Sequence, residues 1–135
     1  MTAHWIASRS LTQVDGVQVL VSISEPVKVR DTLWSCSFSV SRQGQDTLVE
    51  VKGYDSVQAL LLTLERLRLE LSKLGPLIWL GEQGDHGFPM FIPQAFGFAF
   101  SQKLEKMVDS EAVALVTDLR AKAEAKQRAM EARDT

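Results

Sequence analysis

Asparagine is missing altogether from the 135 residues, so the chain offers no N-glycosylation acceptor, and a cytoplasmic, bacterial-type setting is the expectation. A single cysteine, Cys36, excludes an internal disulfide and any two-cysteine zinc half-site. Two histidines set far apart, His4 and His86, cannot supply the paired-histidine face of a zinc hydrolase. No metal and no cofactor is therefore expected. No unbroken apolar run approaches the roughly 18 residues that cross a bilayer, so no membrane partner is expected. Met1 to Trp5 leads into alternating polar positions rather than an apolar run, and a secretory leader is not expected either. A dominant sign of charge is lacking too: 15 Lys and Arg against 17 Asp and Glu leave a net charge of -2, which gives no pull toward nucleic acid. The glycine-rich phosphate and dinucleotide signatures, the serine elbow GxSxG and the dithiol CxxC are all missing.

What is present is an ordinary globular mixture, 45% hydrophobic and 24% charged, at a one-domain length. After Trp5 and Ile6, Asp15-Gly16 forms a turn before Val17, Val19, Val21 and Ile23 recur at period two, which predicts a hairpin. Pro26 interrupts the second strand, because proline donates nothing to a ladder. From Leu33 to Ser41 the alternation is cleanest, with Trp34, Cys36, Phe38 and Val40 on one face and Ser35, Ser37, Ser39 and Ser41 on the other, one face core and one wet. A polar loop, residues 42–46, leads to Thr47, Val49 and Val51, a second hairpin. Asp55 or Ser56 caps a helix whose apolar side runs Val57, Leu60, Leu64, Leu67, Leu71 and Leu74. Gly75-Pro76 ends it. Leu77 to Leu80 has no alternation and predicts a short strand buried on both faces.

Gly81 to Gly97 holds four glycines and two prolines together with Phe88, Met90, Phe91, Ile92 and Phe96. Either Met90 to Ile92 makes one more strand or the segment folds over an open end of the core. Pro93 fits the first turn of a helix running to Val108 along Phe96, Phe100, Leu104 and Met107. Ser110 then caps a last helix with Ala112, Val113, Val116 and Leu119 toward the body. Beyond Arg120 the apolar stripe thins. The expected class is α+β: a mostly antiparallel sheet of about five strands, one packing helix and C-terminal helices, with residues 1–120 as one domain and 121–135 as a charged helical tail through which the chain could oligomerise.

The stretches Trp34-Ser35-Cys36, Gly53-Tyr54-Asp55-Ser56-Val57-Gln58-Ala59-Leu60, Trp79 and Gly87-Phe88-Pro89 resemble a family of small bacterial proteins classed as a domain of unknown function. The similarity covers roughly residues 5 to 92 and leaves 93–135 outside. It implies a compact α+β domain of bacterial origin and brings no catalytic residue to carry over.

Two functional classes remain. A thiolate needs a base or a positive charge beside it, so a small hydrolase would use Cys36 with His86, or the loop residues Glu82, Asp85 and His86 as acid and base. A mid-strand cysteine between Trp34 and Phe38 is better read as packing, since unpaired cysteine is among the most buried residue types. The favoured class is a non-catalytic module that binds another protein, for instance an immunity protein neutralising a toxin. Its contact residues would be Glu82, Asp85, His86, Phe88, Met90 and Phe91, aromatic anchors flanked by carboxylates on a loop.

Overall fold

The computed structural model describes residues 4–84, 86–92 and 96–134. Along the chain these form β1 (Trp5–Gln13), β2 (Gln18–Ser24), β3 (Val27–Arg30), β4 (Leu33–Arg42), β5 (Gln45–Gly53), α1 (Ser56–Ser72), β6 (Leu77–Trp79), β7 (Glu82–Gln83) and α2 (Phe98–Arg133). The fold is α+β, and every strand pairing is antiparallel. The chain divides into two compact units, Met1–Met90 and Phe91–Thr135.

Sheet order is β3-β4-β2-β1-β6-β7, with β5 also on β4. Because β5 runs along the whole of β4 from Trp34 to Arg42, β2 and β3 must share β4's other side. They are one line of chain broken at Glu25-Pro26, where proline cannot donate. Ser24 closes the break: its Oγ accepts from the Ser37 amide at 2.8 Å and donates to the Glu25 carbonyl at 3.2 Å. The short strands β3 and β7 extend the sheet beyond the five strands that alternation predicts; at four and two residues they are too short to display a period.

Turn chemistry fixes the registers. Asp15 Oδ1 accepts from the Val17 amide at 3.1 Å, and Gly16 takes φ 93°. Between β4 and β5 the predicted five-residue loop shortens to Gln43-Gly44, at φ 52° and 76°, the left-handed pair that suits the twist of a two-residue hairpin.

The inward row of β4 is Cys36, Phe38 and Val40, as alternation predicts, and it joins Leu11, Val19, Val21, Ile23, Ala59, Leu67, Leu71 and Leu77 in one core. Asp55, rather than Ser56, caps α1, with Oδ1 accepting from the Gln58 amide at 2.7 Å, while Gln58 Oε1 accepts from Tyr54 N at 2.7 Å. That reciprocal arrangement satisfies two amides at the start of the helix. A Cβ on Gly53 would stand 2.4 Å from the backbone nitrogen of Ala59, so only glycine lets the helix's first turn lie on the end of β5.

Arg68 pairs with Glu65 (2.9 Å) and Arg66 with Glu70 (3.3 Å) along α1, all half-buried except Arg66. Lys73, donating to Glu70, lowers the Glu70 carboxyl below its usual range, aided by Arg66 and opposed by partial burial. Glu50 is lowered likewise by its hydrogen bonds from Lys52 and Ser35 and by the Lys52 charge.

Two expectations are corrected, and one of two open alternatives is decided. Leu80 is 80% exposed at φ 52°, so the run Leu77 to Leu80 is not buried on both faces: the chain leaves the sheet at Trp79 and turns into β7. Met90 to Ile92 is not a strand. The two expected C-terminal helices are one: α2 passes through Asp109-Ser110 unbroken and runs on to Arg133. Serine and aspartate cost a helix interior only about 0.7 kcal/mol or less each, too little to end a helix free of glycine and proline. Pro93 lies outside the described residues, and α2 itself begins at Phe98 after Gly97, at φ 96°.

Candidate functional site

Strand parity places Arg9 on the same face as Leu11 and Val21, inward, where a charge needs partners. The segment after β7 supplies them. Arg9 Nη1 donates to the His86 carbonyl at 3.1 Å, and the guanidinium carbon lies 4.0 Å from the centre of the Trp79 ring and 4.6 Å from that of Phe88. Each such stack contributes about 0.5–1 kcal/mol where partly exposed and more when dry. A Cβ on Gly87, at φ 75°, would fall 2.5 Å from Arg9 Nη1 and 2.6 Å from the Trp79 ring, so the backbone there is pressed directly onto the pair. Phe88 packs against the core. This loop therefore closes the end of the core, one of the two readings the sequence leaves open.

The six predicted contact residues separate. Glu82 and Met90 are exposed. His86 and Phe88 are half-buried, their rings 5.9 Å apart, and His86 Nδ1 accepts from the Phe88 amide at 3.1 Å. Asp85 lies outside the described residues. Phe91 is half-buried and falls in the second unit. With Nδ1 accepting, the proton of a neutral His86 ring sits on Nε2, so the ring's basic nitrogen is already engaged.

Cys36 is 1% exposed, and its Sγ donates to the Ser24 carbonyl at 3.3 Å. It lies on the inward row of β4 among core side chains, and its thiol is bonded to the Ser24 carbonyl rather than to His86. Neither Arg9 nor Ser24 is marked by any motif. Arg9 could have been found from parity counted back from Leu11; Ser24 carries no signal beyond its place before Pro26.

The second unit offers a different surface. Phe96 and Phe100 meet edge to face at 5.4 Å. Along α2, Leu104, Val108, Ala112, Leu115 and Leu119 follow one another at four, four, three and four residues, which sets them on one side of the helix over about 22 Å. Val108, Leu115 and Leu119 are more than half exposed, as are Val113 and Val116. No helix among the described residues is long and apolar enough to cross a membrane.

The chain belongs to the family described as Domain of unknown function (DUF6968), whose match spans residues 7–90, more than half of the chain. That match stops where the first compact unit stops. No curated protein and no solved structure matches the chain.

Proposed function

We propose that the chain is a non-catalytic protein-binding module, and that α2 is the element it offers to its partner. The observation that carries this is the open row Val108, Leu115 and Leu119 on a 36-residue helix. Most of a helix's stability in a protein comes from packing an amphipathic face, so an unburied face of this length gains by accepting a groove. An amphipathic helix laid into an apolar groove is a recurrent mode of recognition. In the first unit, the exposed Glu82 and Met90 remain as contact residues, while Phe88 and His86 serve the loop's own packing. The finer reading is an immunity protein of the bacterial cytoplasm, whose partner is a toxin and not a nucleic acid or a membrane; the chain's small size and absent catalytic motifs support it.

The test uses the protein and the product of a gene adjacent to its own, titrated by calorimetry, with growth measured when both are expressed in one cell. Rescue of growth and binding that Leu115→Asp weakens by about 2 kcal/mol or more is the expected result. Ester or amide turnover by the wild type that vanishes in Cys36→Ser or His86→Ala would overturn the reading in favour of the hydrolase.

A further inference from the structure

At one edge of the sheet stands β5, nine residues long, paired to β4 along one side; among the described residues no strand pairs its other side. An edge of this length is a template for another strand unless something blunts it, and it contains neither proline nor a bulge against β4. Its sequence, Gln45-Asp46-Thr47-Leu48-Val49-Glu50-Val51-Lys52-Gly53, nearly mirrors itself about Val49. Turned end for end against its own copy, it sets Asp46 opposite Lys52 twice, Leu48 opposite Glu50 twice, Thr47 opposite Val51 twice, and Val49 opposite Val49.

We propose that β5 pairs antiparallel with β5 of a second copy of this chain, centred on Val49, so that the two sheets join into one. Directly opposed residues in an antiparallel pair share a face, so the register can shift only by steps that keep the inward row inward. Shifting the centre to Leu48 sets Asp46 against Glu50 twice, and shifting it to Glu50 sets two glutamates face to face. The Val49 register is the one that pairs all nine residues, and it opposes no like charges. Opposite charges placed across strands stabilise the pair and like charges oppose it.

Helix α1 adds to this edge. It lies over β4 and β5, at the border of the sheet rather than its middle, with the first turn against Gly53. The dyad of an antiparallel pair stands perpendicular to the sheet, so the two copies of α1 come to lie on one face. Exposed apolar residues stand on both flanks of α1, Val57 and Leu61 on one and Leu62 and Leu69 on the other, so either flank brings apolar surface to the dyad.

Sedimentation equilibrium of the full chain tests the pairing, with Asp46→Lys, Lys52→Asp and the double exchange Asp46→Lys/Lys52→Asp. Each single change places like charges opposite each other twice and should weaken the dimer at least about tenfold, while the double exchange restores it. Both altered positions, Asp46 and Lys52, are exposed, and circular dichroism checks that each variant folds. A chain that stays monomeric at high micromolar concentration overturns the proposal. So does a dimer whose dissociation is indifferent to the single changes, the outcome expected if copies meet through α2 instead.

Discussion

A single methyl group at residue 87 would have to occupy space already held by Arg9 and Trp79. Gly87→Ala therefore meets two penalties, a left-handed φ that side chains resist and a collision with two side chains that are themselves fixed by stacking. The expected outcome is a loss of about 1–3 kcal/mol in urea unfolding together with a change in Trp79 fluorescence, the signature of a loop lifted from its seat. Unchanged stability and emission would show that the loop bears on nothing. This joint is only half legible in the sequence. Counting by twos from Leu11 turns Arg9 inward, but its ring partners come from positions 79 and 88, and no local pattern links three such distant places. Cys36 is the opposite case, since its neighbours Trp34 and Phe38 declare its surroundings at a spacing of two.

The elements most easily anticipated, β4 and α1, are those whose own length contains several periods of their pattern and whose ends carry turn or cap residues. Short strands such as β7 exist only because the sheet offers them a partner, so nothing within them announces them. In α2 the reason is different: Ser110 has the chemistry of a cap, but the uninterrupted helix formers on both sides outweigh its capping preference. At this scale α1 also has a pH dependence. Glu70 is lowered in the folded chain by Lys73 and Arg66, so the unfolded chain takes up that proton first as pH falls. The stabilisation from these pairs is complete above the ordinary carboxylate range and is lost as pH drops through the folded value. Glu70→Gln should cost no more than about 1 kcal/mol at pH 7, as such surface pairs do, and nothing once the wild-type carboxyl is protonated. A wild-type and variant difference that persists at low pH would assign the effect to packing instead.

For the molecule as a whole, the core residues run from Leu11 to Leu77 and fall within Met1–Met90, the unit that also carries the family match. The second unit is made chiefly of the 36-residue helix α2. Within the first unit the connections differ greatly in reach: β1 must find β6 across more than sixty residues, whereas β4, β5 and α1 follow one another without interruption. The two-residue turn at Gln43-Gly44 thus sets an order in time. Closing it costs little chain entropy, the hairpin forms early, and Gly53 delivers α1 onto it while the remaining strands are still searching. In stopped-flow refolding, Val51→Ala and Leu67→Ala should slow folding, with φ-values of about 0.5–0.8, whereas Leu11→Ala and Leu77→Ala should chiefly hasten unfolding, with values of about 0.3 or less. The reverse ranking would mean that the long-range closure of β1 with β6 comes first and that this hairpin waits for it.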